Sequence, residues 1–359
     1  MLETRGETSI FCLEALERRT LFSGFLAHLP ATPTLTVSTV PPNGDVNPYG
    51  VAIVPTNMGG KLHAGDVLVS NFNNSDNVQG TGTTIVDISP SGKQTVFFQG
   101  KKGLGLTTAL GILDHGFVLV GNVPAPNGVN VKAPGSLLIL DDNGKLVKTL
   151  SDPDLLDGPW DLTVYDQGST AEVFVANVLN GTVTRIDLAV PSHGDDVQVL
   201  SETRIASGYA FSTNPSALVV GPTGLALDAA TDTLFVASTG DNAIFSISDA
   251  LYTGPCSGRG HLVYKDNKHL RGPLGLAFAP NGDLLEANGD AINPDPTNMH
   301  NSEIVEFTTR GKFVDELQIN PAAGGAFGLA TQKVGDKEVF AAVNDITNQV
   351  EIWDLPLYR

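Results

Sequence analysis

The loop spanning residues 289–302 carries the densest group of side chains that could bind a metal ion. Asp290, Asp295 and His300 fall within eleven residues, together with the amides of Asn293 and Asn298. Proteins bind Ca²⁺ through about six to eight oxygen ligands, and an oxygen-rich, proline-broken segment could wrap around such an ion. The spacing does not match the Ca²⁺ loop of an EF-hand. The leading interpretation is therefore a solvated loop with no cofactor, and Ca²⁺ is the one cofactor that the sequence suggests.

An asparagine recurs at the end of similar short apolar runs, as in DVLVSN, GFVLVGN and EVFVAN. An asparagine at a strand end can hydrogen-bond neighbouring backbone, and a repeated unit would need the same tie in every copy. The alternative is a ring of side-chain amides that binds a ligand or a cation. The positions are Asn71, Asn122, Asn177, Asn288 and Asn344, with Thr239 in the remaining copy.

A second recurrent set lies before these runs, at the position that precedes Gly in segments such as NPYGVAIV and GPTGLAL. Its members are Tyr49, Leu110, Trp160, Thr223, Leu274 and Phe327. Tyr49, Trp160 and Phe327 could line an apolar pocket that has a polar rim. The alternative is that these three rings fill a channel as part of the core. With the five asparagines, they are the candidate ligand-binding residues.

The elements that must position these residues follow from the repeat itself. Units of about fifty residues each contain three or four short runs rich in Val, Ile, Leu and Phe, bounded by Gly, Pro, Asn and Asp. Such runs are typical of strands. Six units predict an all-β, six-bladed β-propeller. The sixth unit ends after its third strand, so residues 34–40 are expected to supply the fourth and close the ring; a linker is the alternative.

The units resemble NHL repeats over about residues 40–355, with a P-x-G motif, a strand ending in Asp or Asn, and a third strand followed by a Gly-Lys turn. The resemblance implies the propeller fold but no single function, because such propellers serve as enzymes, scaffolds and ligand binders. Gluconolactonase-type enzymes place Asn and Asp metal ligands at the positions that are mostly apolar here. The streptogramin lyases place a His there, and the amidating lyases bind zinc through His. The chain matches none of these sets, so no catalytic residue is predicted.

Residues 1–29 differ from the rest of the chain. The segment LEALERRTLFSG resembles the leader of exported proteins from planctomycete-type bacteria. This resemblance implies export to the periplasm, the cell surface or the medium. A twin-arginine signal at Arg18-Arg19 and a helix that docks on the domain are the alternatives. The predicted organisation is a leader over residues 1–29 and the propeller over 30–359.

Composition excludes several classes of function. Acidic residues outnumber basic ones by 39 to 21, the net charge is −18 and no cluster of Lys or Arg is present, which argues against a nucleic-acid partner. No apolar run approaches the roughly twenty residues of a membrane span. Cys12 and Cys256 are the two cysteines, so a disulfide framework is excluded.

The leading functional hypothesis is a non-catalytic binding or surface-interaction module. The connections after Asn71, Asn122 and Asn288 are long and leave the same face of the propeller, where binding sites usually lie. The partner would be a small molecule, a glycan or a protein. The alternative is a lactonase- or lyase-like enzyme whose metal ligands come from loops. A third hypothesis is a scaffold whose channel is closed by Trp160 and Phe327.

Overall fold

Six four-stranded antiparallel sheets surround a central channel in the computed structural model, which describes residues 24–192, 196–256 and 258–357. The predicted all-β six-bladed propeller is confirmed. Within the described residues, helical structure is limited to the 3-10 turn Leu26–His28. No helix there is long and apolar enough to cross a membrane.

Each of blades 1 to 5 is built from four consecutive strands, as the repeat predicts. Strand β1 (Leu35–Ser38) belongs to blade 6. Blade 1 contains β2 (Val46–Ile53), β3 (Val67–Asn73), β4 (Thr84–Ile88) and β5 (Gln94–Gln99); blade 2 contains β6 (Leu106–Ile112), β7 (Val118–Asn122), β8 (Ser136–Leu140) and β9 (Leu146–Leu150). Blade 3 contains β10 (Pro159–Asp166), β11 (Thr170–Asn177), β12 (Thr182–Ala189) and β13 (Gln198–Ser207). A small extra hairpin, β14 (Ser212–Asn214) and β15 (Leu218–Val220), follows.

The remaining strands complete blades 4 to 6. Blade 4 contains β16 (Pro222–Asp228), β17 (Thr233–Ser238), β18 (Ala243–Ser248) and β19 (His261–Tyr264); blade 5 contains β20 (Pro273–Phe278), β21 (Leu284–Asn288), β22 (Glu303–Phe307) and β23 (Phe313–Gln318). Blade 6 contains β24 (Ala326–Val334), β25 (Lys337–Asn344) and β26 (Gln349–Pro356), with β1 as its outer strand.

The ring is closed by the N-terminal strand, as predicted for residues 34–40. Strand β1 pairs antiparallel with β26, in a register that places Leu35 opposite Ile352 and Ser38 opposite Gln349. The first and last parts of the propeller are thereby held in one sheet. This pairing covers the edge of β26, which would otherwise present free backbone groups to other chains.

The blades pack through apolar side chains between neighbouring sheets, and the first strand of each blade contacts the first strands on both sides around the channel. The Gly-Lys turns predicted from the sequence join the third and fourth strands of three blades. In each turn the glycine has a positive φ of 76–79°, and its N–H donates to the carbonyl three residues earlier. Glycine adopts this backbone conformation without the steric cost that a side chain adds. The turn glycines are Gly92, Gly144 and Gly311.

Residues 24–30 pack against blades 5 and 6. The carboxylate of buried Glu306 accepts the backbone N–H of Phe25 at 2.7 Å and of Leu26 at 2.8 Å. The Trp353 indole N–H donates to the carbonyl of Pro30 at 3.0 Å. The predicted boundary between leader and propeller thus falls within a segment that is packed on the fold. Residues 1–23, with Cys12 and the Arg18-Arg19 pair, lie outside the described residues.

Candidate functional site: a pocket on the loop face

The two recurrent residue sets meet at one rim of the propeller because each blade starts its first strand beside the end of its second. Pro48 pairs with Asn71 in blade 1, and Pro273 pairs with Asn288 in blade 5. We call this side, where the second strands end and the first strands begin, the loop face. The long connections after Asn71, Asn122 and Asn288 leave from it.

The recurrent asparagines tie connections to the strands. All five side chains are buried, and their Nδ2 groups donate mainly to carbonyls of neighbouring connections. The acceptors are Thr39 for Asn71 (3.0 Å), Ser136 for Asn122 (3.0 Å), Leu155 for Asn177 (2.9 Å), His269 for Asn288 (2.7 Å) and Ile319 for Asn344 (3.2 Å). In four cases the acceptor lies in the segment that enters the same blade. This arrangement agrees with the structural interpretation; a ligand-binding role for the five residues stays a prediction.

Four aromatic rings close the channel beneath the loop face, and we call them the aromatic plug. Tyr49 stacks on Phe72 with ring centroids 4.9 Å apart, and lies 4.8 Å from Phe327 and 5.9 Å from Trp160. Phe72 and Trp160 meet edge to face at 5.4 Å. Three of these rings are candidate site residues by sequence, whereas Phe72 was not predicted. The signal was available, because Phe72 directly follows the recurrent Asn71.

A pocket of about 370 Å³ lies above the aromatic plug. Its floor is formed by Tyr49, Phe72 and the partly exposed Phe327. The rim comes from blades 1, 4, 5 and 6 and from the β14–β15 hairpin. The structure thus brings Tyr49 and Phe327 to this pocket, whereas Trp160 is buried below it. The loop after Asn122 packs Val123 and Ala125 into the plug instead.

The pocket contains an excess of hydrogen-bond acceptors. Four buried side-chain oxygens of its lining have no hydrogen-bond partner in the described part of the chain: Oδ1 of Asn47, Asn73 and Asp290, and Oε1 of Gln79. No described lysine or arginine lines the pocket. Buried polar atoms without partners are uncommon in folded proteins, so these four oxygens make the wall behind the accessible lining rich in acceptors.

Two carboxyl groups give the pocket its electrostatic character. Burial raises the pKa of Asp345 to about 7, and the side-chain amide of Asn47 donates to this carboxyl at 3.4 Å. Burial also raises the pKa of Asp290, although the backbone N–H groups of Ser302 and Gly324 donate to its Oδ2, each at 2.8 Å. Both groups would be stabilised as carboxylates by a positively charged or donor-rich ligand.

The residues of the 289–302 loop that were predicted to bind a metal ion form hydrogen bonds with different groups. The carboxylate of Asp295 accepts the backbone N–H groups of Thr297, Met299 and His300, and these local hydrogen bonds lower its pKa. Asp290 faces the pocket, and His300 bonds to Glu303 at 2.9 Å. Among the described residues, His300 groups at metal-binding distance with Glu303 and Glu316. The Ca²⁺ site proposed from Asp290, Asp295 and His300 stays a prediction.

One acidic residue that the sequence analysis did not single out lies in the channel below the plug. Asp161 lines a cavity of about 60 Å³, and its carboxyl accepts the backbone N–H of Leu162 at 2.8 Å. Burial raises the pKa of Asp161 to about 8. The available signal was an acid next to Trp160, at a position where the other first strands carry small or apolar residues.

Known structures share the fold at low sequence identity. The chain is similar to a gluconolactonase from Xanthomonas campestris, with a TM-score of 0.55 and 13% identity, over 91% of this chain and 97% of that chain. It is similar to a calcium-binding regucalcin from Agrobacterium tumefaciens, with a TM-score of 0.52 and 13% identity, over 90% and 97%. It is also similar to the allergen Mala s 1 of Malassezia sympodialis, with a TM-score of 0.55 and 13% identity, over 89% and 95%.

Sequence comparison adds no family. No protein-family model and no curated protein matches the sequence. The structural similarities therefore establish the propeller architecture, and the assignment to NHL repeats stays a prediction.

Proposed function

We propose that the protein is a binding module that holds a small organic cation, such as a molecule with a protonated amine, in the loop-face pocket. The observation that supports it is a pocket that the carboxyl groups of Asp290 and Asp345 line above an aromatic floor, with no described lysine or arginine in the lining. A protonated amine supplies both a positive charge and several hydrogen-bond donors for these carboxyl groups. Its charge would also interact favourably with the faces of Tyr49 and Phe327.

The size and charge of the pocket favour a small cation over the other partner classes. Its volume of about 370 Å³ lies within the range of roughly 300–1,000 Å³ that is common for small-molecule sites. Two carboxyl groups and the net charge of −18 disfavour an anionic ligand. A protein partner would contact a wider surface than this pocket offers.

The test is a panel of small amines with neutral isosteres, measured by thermal shift and calorimetry on the wild type and on Asp345→Asn. We expect amines to bind and neutral analogues of equal shape not to bind, and we expect the substitution to weaken amine binding at least tenfold. Binding should also weaken as the pH falls below about 7, because protonation of Asp345 removes its charge. Asp336→Asn is the control, because this exposed acid lies at the opposite end of blade 6.

Two results would refute this proposal. Equal binding of an amine and its neutral isostere would mean that the acceptors and carboxyl groups do not select the ligand. An equal loss of amine affinity in Asp336→Asn and Asp345→Asn would mean that overall charge, not the pocket, drives binding.

A second candidate function is a lactonase-like hydrolase, which the raised pKa of Asp345 in the loop-face pocket favours. Carboxyl groups that titrate near neutral pH are suited to general acid–base catalysis. One of the similar structures is a gluconolactonase. This candidate predicts hydrolysis of lactones that Asp345→Asn or a chelator abolishes. The binding-module proposal predicts no hydrolysis above the buffer background.

Export is a further part of the proposal, and it is supported by the resemblance of residues 13–24 to a leader. Cell fractionation of the source organism, with the intact mass of the recovered protein, tests it. Recovery of the protein from the cytosol would refute export.

A further inference from the structure

Blade 5 carries a second group of chemically competent side chains, separate from the loop-face pocket. His300 Nδ1 lies 2.9 Å from a Glu303 oxygen and 3.8 Å from a Glu316 oxygen. The other oxygen of Glu316 lies 2.7 Å from His269 Nδ1. None of these four residues lines the pocket. We call His269, His300, Glu303 and Glu316 the blade 5 cluster.

Three members of the cluster have the geometry of a metal site. Ligand atoms of His300, Glu303 and Glu316 all lie within 4.8 Å of one another. Ligands at about 2.0–2.1 Å from a tetrahedral zinc ion are separated by roughly 3.4 Å. The distances of 2.9 and 3.8 Å from His300 Nδ1 lie on either side of this separation. Small side-chain adjustments would therefore let all three atoms coordinate one ion.

The buried side of the cluster lacks a partner. Glu303 is 3% exposed, and its Oε2 atom has no hydrogen-bond partner among the described residues. The nearby guanidinium of Arg271 donates to the carbonyls of Asn293 and Lys268. A divalent cation between the two glutamates would supply the missing partner and add positive charge.

We propose that His300, Glu303 and Glu316 bind a zinc ion, with His269 as a positioning residue. The imidazole ligand favours zinc over Ca²⁺ and Mg²⁺, which prefer sets made of oxygen alone. His269 stacks on Phe313 with a centroid distance of 3.8 Å and orients the Glu316 carboxylate. The His300 side chain is 42% exposed, which gives an ion access from solvent and leaves room for water as a fourth ligand.

The expected role of the bound zinc ion is to hold the 289–302 loop in place. The ion would join the end of this loop, at His300, to strands β22 and β23, through Glu303 and Glu316. Because the loop also carries Asp290 to the pocket, metal binding would fix one wall of that pocket. The site itself does not depend on the identity or existence of a pocket ligand.

The experiment uses the untagged full-length protein after dialysis against a chelator. Zn²⁺, Co²⁺, Ca²⁺ and Mg²⁺ are titrated separately by calorimetry, and the visible absorption of the Co²⁺ complex reports the coordination geometry. We expect one Zn²⁺ per chain, a tetrahedral Co²⁺ spectrum and no binding of Ca²⁺ or Mg²⁺ to this site. Binding should weaken at acidic pH, because the ligands must lose their protons.

Substitutions of single histidines test which residues bind the zinc ion. His300→Ala should weaken zinc binding at least a hundredfold, and its partly exposed position makes loss of folding a small concern. His269→Ala should weaken it by about 10–100-fold and leave the stoichiometry unchanged, as expected for a residue that orients a ligand. His63→Ala is the matched control, because His63 forms an analogous pair with Asp66 three residues later, at 3.2 Å.

Two results would overturn the proposal. Absence of zinc binding in the wild type would mean that the cluster is a hydrogen-bonded network only. Equal loss in His63→Ala and His300→Ala would mean that zinc binds surface histidines without a defined site.

Discussion

Truncation of Trp160 tests whether the aromatic plug is part of the core. The indole is 1% exposed and contacts Tyr49 and Phe72 through edge-to-face geometry. Replacement of a buried Trp or Phe by Ala costs about 3–5 kcal/mol, through lost burial and the cavity that remains. We therefore expect Trp160→Ala to lower the free energy of unfolding by about 3–5 kcal/mol.

The assay is urea unfolding followed by far-UV circular dichroism and by the fluorescence of Trp353, which the variant retains. Trp353 is buried and stacks on Phe340 in blade 6, away from the plug. Coincidence of the two transitions would establish that unfolding is cooperative enough for a free energy to be defined.

Two further substitutions calibrate the result. Phe327→Ala should lower the free energy of unfolding less than Trp160→Ala does, because Phe327 is already partly exposed in the pocket. Phe211→Ala, at a ring that is 52% exposed, should change the free energy by less than about 0.5 kcal/mol. A cost below about 1 kcal/mol for Trp160→Ala would refute the plug as core and would indicate an open channel.

Four other predictions concern single contacts. Asn177→Ala should lower the free energy of unfolding in urea by about 1–3 kcal/mol, because Leu155, Thr182 and Thr184 lose a donor. An unchanged free energy would argue against a structural role for these hydrogen bonds. Gly311→Ala should destabilise the folded protein more than Gly282→Ala. Both glycines have positive φ, but only a Cβ at position 311 would clash with the carbonyl of Val263. Equal losses of unfolding free energy in the two variants would refute this clash. Glu306→Gln should speed proteolysis within residues 24–30, detected by mass spectrometry, because one of the two N–H groups held by the carboxylate loses its acceptor. The folded-state pKa of Asp345 is raised above its ordinary value, so the folded protein binds this proton more tightly than the unfolded chain does. The wild type should therefore lose stability relative to Asp345→Asn as the pH rises from about 4 to about 7. Unfolding experiments at pH 5 and pH 8 measure this difference.

Much of the fold could be predicted because it depends on local patterns. A strand, a turn and a repeat length are encoded in neighbouring residues, so the first three strands of every blade and the closing strand were predicted. The β14–β15 hairpin was missed, because its strands are only three residues long and interrupt the repeat between blades 3 and 4.

The candidate site could be predicted only in part. Repetition placed Tyr49, Trp160 and Phe327 on one rim, but it could not distinguish a ring that faces a pocket from one buried below it. The unpartnered oxygens of Asn47 and Asp290 have no sequence signature, because only the packing of distant loops decides whether a polar atom finds a partner.

The sequence alone thus determined the six-bladed architecture, the closure of the ring and the face from which the long loops leave. Tertiary structure decided which side chains share a site. His269, His300, Glu303 and Glu316 come from a connection, a loop and two strands, and no regular spacing relates them. Their proximity follows from the antiparallel pairing of β22 with β23 and from the path of the loop before β22. Local periodicity specifies strands, whereas the distances between side chains of different segments depend on how those segments pack.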